Sequence, residues 1–150
     1  SSYDNSSSTY FRLSERNNQN SQKVIFGKGN LIKNGNLAMV IVVGTMLDAV
    51  LQAVEGLDVG ILYYTTINPF DFDILNSIRS DKLVICEPYY GGPILSKITE
   101  NFSGKSLRIY SINVPKKFIR SNGSVKYHDE FFGFDVLSIR EKIKRAIGEP

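Results

Sequence analysis

A chain of 150 residues, 42% hydrophobic and 22% charged, is sized for one domain and is too apolar to be disordered or fibrous. Its charge sum, 18 − 15 = +3, is too small and too dispersed to point to nucleic acid. The longest apolar run, Leu37-Ala38-Met39-Val40-Ile41-Val42-Val43, falls far short of the ~18 residues a membrane helix needs.

The first stretch, 1–22, is Ser- and Asn-rich, with one apolar island at Tyr10-Phe11-Arg12-Leu13. That composition cannot bury enough apolar area to offset its ordering entropy, so it reads as a linker. It carries no charged-then-apolar leader. With Cys86 the only cysteine, no intramolecular disulfide can form, and the expectation is a cytoplasmic protein without a membrane partner.

From Lys23 the pattern is ordered. Residues 23–33 read as a short, Gly-interrupted strand, followed by the turn dipeptide Asn34-Gly35. The spacing predicts a hairpin that pairs this strand antiparallel with the apolar run 37–43. That run, apolar throughout, fits a strand buried on both faces. Thr45-Met46-Leu47-Asp48 has the form of a capping box, opening a helix that Gly56 stops. A second apolar strand, 59–64, leads to Asn68-Pro69-Phe70-Asp71, where Pro69 is expected at the first helical position. A third strand, 83–86, precedes Glu87-Pro88-Tyr89-Tyr90-Gly91-Gly92-Pro93, with Pro93 opening a helix. A last strand, 107–112, a loop from 113 to about 132, and a helix from Asp135 with Ile139, Ile143 and Ile147 inward complete the chain. Strands alternating with helices predict a three-layer α/β/α open sheet of five strands, mostly parallel, with an antiparallel first edge strand.

In such sheets ligands favour the loops at the carboxyl ends of strands. Gly44, Thr45, Gly91 and Gly92 are therefore candidates for holding a small anion with backbone N–H groups, against the plainer reading of ordinary helix starts. Glu87, at the end of a buried strand, is either a functional carboxylate or one that fixes the following loop. His128, the only histidine, has Asp129 and Glu130 beside it and no cysteine near, which supports no metal site. Cys86 reads as a small core hydrophobe. Arg140, Lys142, Lys144 and Arg145 read as the solvated face of the last helix. No complete catalytic constellation is visible.

Several pieces occur in a telling order: Phe26-Gly27-Lys28-Gly29, Gly44-Thr45-Met46, Thr66-Ile67-Asn68-Pro69-Phe70-Asp71, Glu87 with Tyr89-Tyr90-Gly91-Gly92, and Phe131-Phe132-Gly133-Phe134-Asp135. The succession, over 10–147, resembles the C-terminal domain of transketolases and related thiamine-diphosphate enzymes. The relatives include deoxyxylulose-phosphate synthase and the beta subunits of 2-oxoacid dehydrogenases. The resemblance implies a remnant of the preceding pyrimidine-binding domain plus linker at 1–22 and the C-terminal-like domain at 23–150. It implies a cytoplasmic, homodimeric parent of the pentose phosphate pathway that moves a two-carbon ketol unit between phosphosugars. Thiamine diphosphate and Mg²⁺ would be held by domains absent from this chain, either fused upstream or on a separate partner chain. Catalytic, cofactor-binding and metal residues would accordingly be none here. In that family an arginine directly after the serine of the strand matching 10–14 holds the substrate phosphate. Here Glu15 follows Ser14, and Arg16, one later, is the residue the resemblance offers for that role. Glu87, Tyr89 and Tyr90 are the expected dimer interface. A standalone module binding a small anion is the alternative from a different class.

Overall fold

The computed structural model describes residues 16–102, 104, 106–118 and 123–149. The island at Tyr10-Phe11-Arg12-Leu13 and its implied pyrimidine-domain strand therefore lie outside the described residues. The elements in chain order are β1 (Gly29–Lys33), β2 (Ala38–Val43), a 3-10 turn (Gly44–Met46), α1 (Leu47–Ala53), β3 (Val59–Tyr64), α2 (Phe72–Asn76), β4 (Lys82–Tyr90), α3 (Pro93–Asn101), β5 (Arg108–Val114), α4 (Val125–Phe132) and α5 (Val136–Ile147). No helix among the described residues is long and apolar enough to cross a membrane.

The strands form one sheet in the order β1-β3-β2-β4-β5. β1 runs antiparallel to β3, and the other pairs, β2 with β3, β2 with β4 and β4 with β5, are parallel. All six residues of β2 and all six of β3 are buried. The strand period of two divides them between two cores. Ala38, Val40 and Val42 face α1 and α5 in one, while Met39, Ile41 and Val43 pack with Leu75 of α2 and Ile94 and Ile98 of α3 in the other. Each buried Val, Ile, Leu or Met side chain among them stabilises the fold by roughly 2 kcal/mol relative to exposure. This is the expected three-layer α/β/α architecture with an antiparallel edge.

The expected hairpin is not formed. β2 spends both of its edges on parallel partners, so β1 pairs with β3 instead, from Gly29 against Tyr64 to Lys33 against Ile61. A two-residue hairpin of the favoured type needs positive φ at its central residues, and Gly35 is not among the positive-φ glycines. Here the chain crosses the start of β3. The Asn36 and Leu37 N–H groups donate to the Asp58 carbonyl at 3.2 and 2.9 Å. A Cβ on Gly35 would stand 2.0 Å from the Val59 carbonyl carbon. The asparagine–glycine pair thus marks a close backbone crossing, a different use of the same small residue.

Other local readings shift as well. The first strand begins only at Gly29, leaving Ile25 and Phe26 exposed. Thr45 makes no side-chain cap; Gly44 takes the left-handed conformation (φ 56°) and the 3-10 turn leads into α1. The Asn68–Pro69 bond is cis, and α2 starts three residues later behind Asp71. Within the expected long loop lies α4, capped by Ser124, whose Oγ accepts from the Tyr127 N–H at 3.2 Å, and closed by left-handed Gly133. α5 follows its expected pattern, with Asp135 accepting from the Ser138 N–H at 3.0 Å and Ile139, Ile143 and Ile147 buried. Arg140 is not merely solvated: its Nη1 donates to the Ala53 and Glu55 carbonyls, each at 2.8 Å, completing the C-terminus of α1.

Candidate functional site

The strand order reverses at β2, because the chain goes from β2 outward to β3 and then returns to β4 on the other side. Where connections diverge this way, the carboxyl ends of the two strands leave a crevice. A cavity of about 400 Å³ lies there. Val43, Gly44 and Thr45 line it from the end of β2, Pro88 and Tyr89 from β4, and Val114 from β5. An ideal Cβ on Gly44 would meet nothing within 4 Å, so the backbone at this point borders open space.

Two segments far apart in sequence close the crevice. The first runs along its rim just before β1. Asn18 Nδ2 donates to the Gly44 carbonyl at 3.1 Å and to Tyr63 Oη at 3.2 Å. The Gln19 N–H donates to Asp48 Oδ2, and Arg16 pairs with Asp129. The second is α4, which brings His128 and Phe132 to the cavity, with Phe134 following. The rings of His128 and Phe132 lie 6.1 Å apart, and those of Phe132 and Phe134 lie 5.7 Å apart. Arg16 therefore stands at the same cavity as Gly44 and Thr45.

Gly91 and Gly92 are not part of it. They form the approach to α3, where the Gly92 N–H donates to Glu87 Oε1 at 3.2 Å. The positive end of α3 is answered by the protein's own carboxylate. Glu87 has no exposed surface, and burial pushes its carboxyl up, with the Gly92 and Ile94 N–H groups acting the other way. Its Oε2 and the hydroxyl of Tyr89 are buried without a hydrogen-bond partner. Burial, and then the Glu87 charge, push the Tyr89 hydroxyl up to about 12. Tyr90 is 52% exposed. Of the three residues expected at an interface, Tyr90 offers the most surface, and Glu87 acts from beneath the loop.

Cys86 is wholly buried, and burial holds its thiol up at about 12, which leaves negligible thiolate at neutral pH. Among the described residues no three His, Cys, Asp or Glu side chains could share a metal ion. The arrangement at the crevice offers hydrogen-bond donors, one guanidinium and aromatic walls, which is the equipment of a binding site. His128, Asn18, Phe132 and Phe134 are the site residues that strand-end reasoning does not reach. The signal for α4 was the frame Ser124 to Gly133, a capping serine and a stopping glycine.

No protein-family model matches the chain. It is 33% identical over 144 residues to an uncharacterized 33.6 kDa protein in the fasciation locus of Rhodococcoides fascians, covering 93% of this chain and 46% of that protein. It is 25% identical over 128 residues to the 1-deoxy-D-xylulose-5-phosphate synthase of Vibrio vulnificus (strain CMCP6), covering 82% of this chain and 20% of the synthase. Among solved structures, a split-gene transketolase described as an inactive β4 tetramer superposes with a TM-score of 0.69 at 20% identity, over 81% of this chain and 43% of that one. The chain thus spans less than half the length of each. The mixed five-stranded sheet with its flanking helices is the fold of transketolase C-terminal domains.

Proposed function

We propose that this chain is the C-terminal domain of a thiamine-diphosphate-dependent enzyme of the transketolase type. The parent is a cytoplasmic homodimer that moves a two-carbon ketol unit between phosphosugars. The observation that carries this reading is the fold shared with split-gene transketolase across most of the chain. The likeness to a deoxyxylulose-phosphate synthase supports it and favours one second reading, in which the parent is such a synthase.

A diphosphate and its Mg²⁺ require several converging oxygen ligands. Among the described residues the buried carboxylates are Glu87, whose Oε1 takes the Gly92 N–H, and Asp71, held by Lys28 and the Gly29 N–H. In this reading the cofactor and its Mg²⁺ are held by the other domains of the parent, and this chain's residues act around them. The domain's part is mechanical: it braces the active-site domains and contributes to the dimer through the end of β4 at Tyr90. Arg16 is the residue offered to a substrate phosphate. Its pairing with Asp129 fixes its direction along the rim of the crevice.

The test is to capture the native protein from its source cells with an antibody to this chain. Intact mass, bound thiamine diphosphate and ketol transfer between phosphosugars are then measured on the same preparation. A species heavier than this chain, or a tight partner chain, with the cofactor and the transfer activity is the expected result. Cofactor without that transfer moves the assignment to the synthase reading. A lone species of this length without thiamine overturns both.

A further inference from the structure

We propose that the turn before β1 is the apolar anchor by which this domain packs on another domain of its parent, with Ile25 and Phe26 seated in an aliphatic or aromatic recess there. The inference rests on the reading of this chain as one domain of a larger enzyme. It gives that reading a contact surface apart from the crevice and from Tyr90.

Val24, Ile25 and Phe26 are consecutive and 45%, 65% and 77% exposed, and neither core includes them. A single exposed apolar residue is ordinary, whereas an uninterrupted apolar patch marks an interaction site. The backbone that carries these side chains is pinned. Gly27 takes the left-handed conformation (φ 74°), and the Lys28 N–H donates to the Ile25 carbonyl at 3.0 Å. Asn30 Nδ2 donates to the Lys23 carbonyl at 3.3 Å. Asp71 accepts from the Gly29 N–H at 3.2 Å and from Lys28 Nζ at 3.3 Å. A Cβ on Gly27 would stand 3.0 Å from Pro69 Cγ, so the turn lies against the connection that follows β3. A backbone already fixed has little conformational entropy left to lose when its side chains are covered.

Size and position select what covers the patch. The three side chains display on the order of 400 Å². Association of free proteins takes about 800 Å² from each partner, so this patch alone does not hold two free copies together. A tethered domain brings its own effective concentration and needs less contact. β1 starts opposite Tyr64, the last residue of β3, which puts the turn at the carboxyl end of the sheet. The segment at Asn18 and Gln19, bonded along the crevice rim, leads into it. More than half the length of each similar protein lies outside the part this chain matches, room enough for a domain that covers the turn.

The test uses the intact parent with benzoylphenylalanine, a photo-crosslinking residue, in place of Phe26, and maps the crosslinked peptides after irradiation. Crosslinks to parent sequence outside this domain, on the same polypeptide or a tight partner chain, are the expected result. Crosslinks confined to a second copy of this domain, or no protein crosslink at all, overturn the proposal while the mass and cofactor of the parent still uphold the reading beneath it. A parent no heavier than this chain and without a partner chain overturns both. Proteolysis gives a second measurement. Phe26→Ala should speed tryptic cleavage at Lys23 in the intact parent about tenfold, because the domains part more often. Leu137→Ala, which removes a comparably exposed side chain from α5, should leave that rate unchanged. Equal cleavage of the two variants overturns the proposal.

Discussion

Two buried carboxylates in this chain have opposite fates, and the difference is in their partners. Asp71 is 7% exposed, and burial alone would raise its pKa, but the Gly29 N–H at 3.2 Å and Lys28 at 3.3 Å outweigh burial and hold it below the usual carboxylate range. A depressed pKa contributes stability that is present above the unfolded value and is lost as pH falls through the folded one. Asp71→Ala should therefore cost about 2 kcal/mol near neutrality. Urea titrations repeated down to acid should show the difference from the parent chain shrinking below about pH 4. The Gly92 and Ile94 N–H groups act on the Glu87 carboxyl, but its Oε2 has no hydrogen-bond partner, so burial prevails and its pKa is raised. Its sign is the reverse: the folded state favours the protonated form, and stability declines as pH rises from the unfolded value through the folded one. Glu87→Gln should raise stability at pH 7 by an amount on the order of 1 kcal/mol and flatten that decline. An unchanged slope between acid and neutral pH would show that Glu87 is not the group responsible.

At the scale of elements, the lesson lies in the crossing at Gly35 and in α4. A Cβ on Gly35 would meet backbone atoms of Val59 and Gly60 at 2.0–2.5 Å, and backbone cannot swing aside as a flexible side chain can. Gly35→Ala should accordingly destabilise the protein by about 2–3 kcal/mol in chemical denaturation, more than a solvent-exposed hairpin turn would. The strand-and-helix alternation was legible because β2, β3 and the core of β4 are long apolar runs, and burial on both faces writes itself into composition. Pairing was not legible from Asn34-Gly35, because a turn dipeptide reports local conformation while the partner strand is chosen by which edges remain free. α4 escaped notice for a related reason. It has no fully buried residue, and its aromatic residues, Tyr127 on Phe131 and Phe131 on Phe132, pack largely on one another at the surface, so its pattern lacks the aliphatic core stripe that marks α5. Gly44 and Thr45 were reachable from the strand-end rule, and Arg16 from the family resemblance. His128 and Asn18 were not, since only the folded chain brings the rim segment and α4 to the same crevice.

For the whole molecule, the two ends of the β4–α3 connection divide the labour between interior and surface. Glu87 sits beneath the loop and ties the Gly92 N–H, Gly91 packs against the Asn113 side chain, and Tyr90 is left standing outward between them. A large aromatic side chain at the end of a paired strand loses little conformational freedom when a partner covers it, which is why such residues anchor interfaces. If this domain contributes to the dimer of its parent, Tyr90 is the place where truncation should be felt without unfolding anything. Tyr90→Ala should weaken dimerisation of the intact parent about tenfold, read by sedimentation at micromolar concentration and below, with thermal stability of the dissociated protein unchanged. Glu87→Gln gives the complementary measurement. Its carboxamide keeps an oxygen for the Gly92 N–H, so the loop stays braced and dimerisation should hold even as the pH dependence of stability changes. A dimer insensitive to Tyr90→Ala would move the interface off this end of β4. The exposed aromatic pair Tyr127 and Phe131 on α4 would then be the next face to truncate.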